Sequence, residues 1–295
     1  MRVFITGAAG FIGQATTQEL IAHGHKVVGL ARSDENAVTL KNLGADIHRG
    51  SLEDLESLKS GAANADGVIH LAFIHDFSRF AENGQVDKRA IEAMGDVLVG
   101  TNKPFIVTSG TGLIEPGVVI TEEMRRDAGA FAPRVSEQAG LAYASCGVRA
   151  MAIRLPQVHG ADGKAGLISY LLELARQHGK AVYVDKGAER WAAAHRSDVA
   201  RLYRLALEKG TADGIYHAVG EEGVPMRQII DVIGRALKVP VASITKEEAG
   251  QYFGPLAMFA GLDMPASSAL TQKWLDWKPT QIGLIADIGQ PGYFR

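Results

Sequence analysis

The stretch "TGAAGFIGQ", which begins at Thr6, sets Gly7, Gly10 and Gly13 three residues apart directly after the apolar run Arg2–Thr6. A phosphate-binding turn needs this arrangement. The first glycine permits a tight turn, the second lets backbone approach a pyrophosphate, and the third lets the following helix pack on its strand. Phe11 and Ile12 lie between the last two glycines, where free N–H groups meet the positive end of the helix dipole. Roughly 20 residues later a dinucleotide site reads the ribose from the end of the second strand, with Asp or Glu for NAD. This chain places Arg32 and Ser33 there, after Ala31. A guanidinium fork fits a phosphate and a hydroxyl adds a donor, so the pair predicts NADP(H) preferred over NAD(H). Asp34, one step further, is expected to cap the next helix.

Two further groups could carry chemistry. Ser109 ends an apolar strand in "VTSGTG" and Thr111 follows two residues later; both could donate to a substrate oxygen, or serve the turn itself. "AFIHDFSRF" places His75 and Asp76 in a loop after another strand. A histidine of near-neutral pKa could supply a proton, with the aspartate orienting it. The same residues could simply face water or cap the next helix.

These residues need a scaffold that gathers strand ends. Short apolar runs at 2–6, 26–31, 46–49, 67–72, 105–109 and 149–155 alternate with helical patterns at 11–23, 35–43, 52–62, 87–99 and 135–145. That rhythm predicts an α/β fold, a Rossmann-type doubly wound parallel sheet with ligands at the strands' carboxyl ends. After Pro156 the pattern turns more helical, with helices at 167–178, 199–207 and 226–237 between loops rich in Gly and Pro. The expected division is a dinucleotide-binding domain over 1–156 and a smaller, mostly helical substrate lobe over 157–295.

The composition excludes several classes. A net charge of −2 gives no electrostatic case for nucleic acid or an anionic membrane. No apolar run approaches the roughly 20 residues of a membrane span, and no leader pattern precedes the first strand, so a cytoplasmic location is expected. The one cysteine, Cys146, excludes internal disulfides and Cys-based zinc clusters.

Several segments in order resemble the extended short-chain dehydrogenase/reductase superfamily, whose members include sugar epimerases and dehydratases. They are "TGAAGFIG" (6–13), "RGSLEDLESL" (49–58), "DGVIHLA" (66–72), "VTSGTG" (107–112), "AIRLPQVHG" (152–160), "RWAAAHRSDVA" (190–200), "GIYHAV" (214–219) and "KWLDWKP" (273–279). The resemblance implies that residues 191–218 rejoin the first domain. It also implies that Ser51 and Leu52 lie beside the adenine, that His70, Leu71 and Ala72 line the cofactor cleft, and that Pro156 joins the cofactor set. Lys186, Arg190 and Trp191 would then wall the substrate side. Phe253, Met258, Phe259 and Met264 either make that pocket apolar or belong to the core. Relatives commonly dimerise through helices matching 87–99 and 135–146, so a homodimer is one expectation.

The superfamily's usual tyrosine with a lysine four residues later is missing, because none of the seven tyrosines has that lysine. Aligning "AGAFAPRVSEQAG" (128–140) on Glu137 puts Arg134 at the lysine position and Ala130, or Phe131, at the tyrosine position. Arg134 could hold the cofactor ribose and stabilise developing negative charge, but an arginine cannot be the acid. The leading expectation is an NADP(H)-dependent oxidoreductase acting on a small carbonyl or alcohol. An NADP(H)-sensing protein without catalysis is the alternative, and a sugar-nucleotide epimerase a third.

Overall fold

The computed structural model describes residues 1–125, 134–160, 166–291 and 293. Its centre is a seven-stranded, all-parallel sheet made of β1 (Arg2–Thr6), β2 (Lys26–Ala31), β3 (Asp46–Arg49), β4 (Gly67–His70), β5 (Pro104–Gly110), β6 (Arg149–Leu155) and, much later in the chain, β10 (Gly214–His217). Alternate residues of these strands feed two cores. Val3 and Ile5 pack with Leu20, Leu40 and Leu202, whereas Phe4 packs with Leu58, Ile91 and Met94. The first set draws α1 (Phe11–Ala22), α2 (Asp34–Asn42) and α7 (Arg196–Lys209) onto one face. The second draws α3 (Leu55–Ala63), α4 (Phe80–Asp96) and α5 (Ser136–Leu141) onto the other.

The spatial order is β10-β6-β5-β4-β1-β2-β3, so the connections reverse direction between β1 and β4. A crevice opens beyond the carboxyl ends of those two strands.

The remaining elements form a smaller body. β7 (Gln157–His159) pairs parallel with β9 (Arg190–His195), which pairs antiparallel with β11 (Glu221–Pro225). β8 (Ala181–Val184) pairs with β12 (Val241–Ile244). Around them lie α6 (Leu167–His178), α8 (Met226–Leu237), α9 (Lys246–Phe253), α10 (Ala257–Ala260), α11 (Ala269–Leu275) and α12 (Leu284–Ile288). The segment expected to return at 191 does so in two stages. Residues 190–195 still belong to the small sheet, and only from Arg196 does the chain pack on α1 and then add β10 to the large one.

Several helix bounds differ from the sequence reading. α4 begins at Phe80, a full two turns before residue 87, and α5 is only six residues before a 3₁₀ turn continues to Cys146. The two helices named for a dimer contact, α4 and α5, are packed on each other within the chain. Tyr143 covers Gly95, where a Cβ would lie 2.4 Å from its ring, and its hydroxyl donates to Asp96.

Candidate cofactor and substrate cleft

Gly7 has φ +71°, the left-handed region that favours glycine, and a Cβ there would stand 2.8 Å from the Ala72 nitrogen. A Cβ on Gly13 would stand 2.0 Å from the Gly7 carbonyl oxygen. The turn is closed by the Gly10 N–H donating to that same oxygen at 2.9 Å. α1 then starts with no side-chain cap and no acid in its first turn, whereas α2, α3 and α9 start on Ser33, Asp54 and Thr245 caps. An uncapped, acid-free first turn beside a glycine cradle fits an anionic pyrophosphate.

The cleft above the turn has a volume of about 870 Å³. Gly7, Gly10, Phe11, Ile12 and Gly13 line its middle, with Leu71 and Ala72 from the end of β4. On the β2–β3 side it is lined by Arg32, Ser51 and Leu52, and on the β5–β6 side by Ser109, Thr111, Arg134, His75, Pro156 and Trp191. Arg32 is exposed and makes no hydrogen bond or ion pair among the described residues.

Other expected residues are engaged elsewhere. Ser33 is the N-cap of α2, its hydroxyl accepting from the Asn36 N–H at 3.2 Å, so it does not line the cleft. Asp34 therefore is not the cap; it lies in the helix's first turn and pairs with Arg49 at 2.6 Å. Asp76 does not orient His75. Its carboxylate caps the 3₁₀ turn Phe77–Arg79, accepting from the Ser78 N–H and hydroxyl at 3.0 and 2.6 Å. Arg190 is clamped by Asp263, and Lys186 is exposed away from the cleft lining. His70 is wholly buried beneath the cleft rather than lining it. Phe259 and Met264 line the cleft, while Phe253 is core. Ala130 and Phe131 lie outside the described residues.

Beneath the β4–β5 strand ends runs a buried polar chain centred on one carboxylate. Burial pushes the Asp87 carboxyl up, but the hydrogen bond and charge of His70, the Arg134 charge and the Ser136 hydroxyl outweigh it, leaving it below its ordinary value and ionised. Asp87 can therefore only accept. His70 Nε2–H donates to Oδ1 at 3.0 Å and the Ser136 hydroxyl donates to Oδ2 at 2.5 Å. His70 Nδ1 lies 2.7 Å from the Thr6 hydroxyl, whose oxygen accepts the Ala72 N–H at 3.3 Å. At the other end Arg134 Nε donates to Ser136 Oγ at 2.8 Å and Nη2 to the Thr108 carbonyl at 2.9 Å. The guanidinium lies 4.0 Å over the Phe73 ring. The chain thus ties the glycine-turn strand to Arg134 through four side chains.

Ser109 and Thr111 differ in readiness. Thr111 donates to the Leu155 carbonyl at 3.4 Å, whereas Ser109 has no partner among the described residues. His75 is exposed at the cleft's edge, and partial desolvation, followed by the Arg134 charge, holds its pKa below the ordinary value. Tyr203 stands close, donating to Thr108 Oγ1 at 2.8 Å, since that hydroxyl donates to the His70 carbonyl. It is fully buried and does not reach the cleft.

Sequence reasoning missed Asp87, Ser136, Asn36, Glu53, Phe73 and Tyr170. Asp87 carried a signal, being an acid in helical register with buried Ala90, Ile91 and Met94. The others come from α2, α5, α6 and the loops after β3 and β4, and no local pattern encodes that they meet.

Residues 3–219 match the NAD dependent epimerase/dehydratase family, and the chain belongs to that family. It is 47% identical over 296 residues to the uncharacterized protein C2A9.02 of Schizosaccharomyces pombe, covering 100% of each chain. It is 49% identical over 292 residues to the uncharacterized protein YLL056C of Saccharomyces cerevisiae, covering 98% of each. A more distant similarity, 27% over 243 residues, covers 77% of this chain and 73% of the decarboxylating sterol-4-alpha-carboxylate 3-dehydrogenase of Dictyostelium discoideum. Among solved structures, the dTDP-glucose 4,6-dehydratase DesIV of Streptomyces venezuelae, with NAD and TYD bound, superposes with a TM-score of 0.77 at 17% identity, covering 98% of this chain and 95% of that one.

Proposed function

We propose that the protein is an NADP(H)-dependent oxidoreductase acting on a small carbonyl compound or the matching alcohol. When bound, such a cofactor exchanges hydride with a substrate carbon. Gly7, Gly10, Phe11, Ile12 and Gly13 hold the pyrophosphate, Ser51, Leu52, Leu71, Ala72 and Pro156 flank the nucleosides, and Arg32 takes the 2′-phosphate. Arg32 carries this reading: it lines the cleft at the end of β2 with no carboxylate bound to it. In reduction, Ser109 donates a hydrogen bond to the substrate oxygen, with Thr111 beside it. Arg134, fixed by Ser136 and the Thr108 carbonyl, stabilises the charge that gathers there. The proton reaches that oxygen from His75 or water.

The dehydrogenase name of the Dictyostelium relative supports hydride chemistry. A second reading, a sensor of the NADP redox state, is favoured by the absent tyrosine–lysine pair. Calorimetry of the purified, cofactor-free protein with NADPH, NADP+, NADH and NAD+ tests both. Comparable tight binding of both NADP forms supports the oxidoreductase, and a strong preference for one redox state supports the sensor. Preference for NAD(H) removes the role given to Arg32.

A further inference from the structure

The substrate end of the cleft is walled by Phe73, Phe80, Tyr170, Trp191, Phe259 and Met264. These come from the loop after β4 and from α4, α6, β9, α10 and the segment before α11. Two of its polar neighbours are committed to backbone, while the buried Trp191 Nε1–H has no partner among the described residues. Gln157 Nε2 donates to the Val158 carbonyl at 3.0 Å, and the Ser169 hydroxyl donates to the Gly166 carbonyl at 2.7 Å.

Positive charge is equally scarce there. Of the arginines and lysines among the described residues, only Arg32 and Arg134 line the cleft, and Arg32 lies on the β2–β3 side. Arg134 already gives Nε and Nη2 to Ser136 and Thr108. The next candidate, Arg190, is taken by Asp263. Its backbone N–H donates to Oδ1 at 2.6 Å, Nε to Oδ1 at 3.0 Å and Nη2 to Oδ2 at 2.7 Å. That bidentate clamp leaves the Arg190 guanidinium committed to a carboxylate. A nucleoside diphosphate would bring two charges to a wall where, among the described residues, Arg134 is the one arginine or lysine and is already engaged, and a sugar would find few free partners for its hydroxyls. A flat apolar group would instead gain by burial against the rings.

Resting on the oxidoreductase reading above, we propose that the substrate is an uncharged carbonyl compound bearing an aromatic or similarly broad apolar group, and that sugar nucleotides are excluded. The carbonyl points toward Ser109, and the apolar group lies among Phe259, Met264 and Tyr170.

The test is calorimetric titration of the full-length protein, with and without saturating NADP+, using 4-phenyl-2-butanone and UDP-glucose as probes. NADPH consumption with each probe is followed in parallel. The ketone is expected to bind at least about tenfold more tightly than UDP-glucose. Phe259→Ser and Tyr170→Ser each weaken the ketone about fivefold to tenfold, while NADP+ affinity stays within about twofold. Tyr170 is 42% exposed, so its variant keeps the fold if the Phe259 variant does not. Lys186→Ala leaves ketone affinity unchanged. UDP-glucose binding as tightly as the ketone overturns the proposal, as does ketone binding that neither ring variant weakens, or no binding of the ketone to either form. Failure of NADP+ to bind while the ketone still binds rejects the cofactor reading and leaves the pocket assignment standing.

Discussion

In its middle, at the glycine turn, the cleft is built largely from backbone, whereas on its β5–β6 side it is built from side chains that meet from distant segments. Gly13 leaves no room for a Cβ against Gly7 and Ala8, so the shape of the turn is dictated locally within a dozen residues. Arg134, Phe73, Tyr170 and Trp191 come together only because α4, α5, α6 and β9 pack as they do. A ligand part recognised by backbone N–H groups tolerates change around it. A ligand part recognised by assembled side chains changes with every loop.

The backbone-built side is the easier to break outright. Gly13→Ala sets a methyl 2.0 Å from the Gly7 carbonyl oxygen, which is backbone and cannot swing aside. NADP+ affinity is expected to fall at least about 100-fold, about 2.8 kcal/mol, with far-UV circular dichroism unchanged. Retention of near-normal affinity would falsify the pyrophosphate assignment.

The side-chain-built side should lose rate rather than cofactor. Arg134→Met removes the fixed guanidinium, and kcat for carbonyl reduction should drop about 100-fold, with NADP+ affinity within about threefold. Asp87→Asn leaves the shape but takes the anion from His70 and Ser136. Its kcat is expected to fall less, about tenfold, with KM little changed. Equal losses in rate and cofactor affinity in both variants would mean the network only holds up the fold.

Arg32→Ser tests where the two sides meet the choice of cofactor. NADP+ should weaken about 30-fold, about 2 kcal/mol, in keeping with lost charge-assisted hydrogen bonds. NAD+ should stay within about twofold. If both cofactors weaken alike, Arg32 acts through the shape of the loop and not through a phosphate.

What the sequence disclosed follows this same division. The sheet, the glycine turn and the residues that line it were legible because alternation and glycine spacing are local signals. Ser33, Asp76 and Arg190 misled because each is of the right type near the right strand end. What decides between capping and ligand binding is the partner, and Asn36, Ser78 and Asp263 are chosen by the fold. The buried path from Thr6 to Arg134 was illegible except at Asp87, since its members are scattered from residue 6 to residue 136.

Acid should loosen the second side first. Arg154 donates two bonds to Glu137 at the start of α5, at 2.8 and 2.6 Å, and Nη1 lies 3.2 Å from His217 Nε2. His217 Nδ1–H donates to the Ser267 carbonyl at 2.7 Å, so Nε2 must be the unprotonated acceptor. Burial, then the Arg154 charge, pushes the His217 pKa down from 6.5 to about 3. The unfolded chain binds this proton between those values and the folded chain does not. The contribution is whole above pH 6.5 and is lost as pH falls toward 3, at about 1.4 kcal/mol per pH unit. Urea unfolding at pH 7, 6 and 5 should show this slope, and His217→Gln should make it shallower by about one proton. An unchanged slope in the variant would assign acid sensitivity to another group.

The finest division concerns the proton. His75 carries a pKa below 6.5 because of partial desolvation and the Arg134 charge, so at pH 7 its ring is mostly neutral. If His75 delivers the proton in carbonyl reduction, kcat/KM rises as pH falls through that lowered pKa and levels off below it. Because the ring is exposed, water supplies the proton in parallel. The gain is therefore set at about tenfold, below the ~10²–10⁴ of a committed acid. His75→Asn should flatten the profile while leaving the rate at pH 8 within about twofold. A profile that keeps its rise in the variant assigns the proton to solvent, and Arg134 with Ser109 then carries the chemistry of the second side without a protein acid.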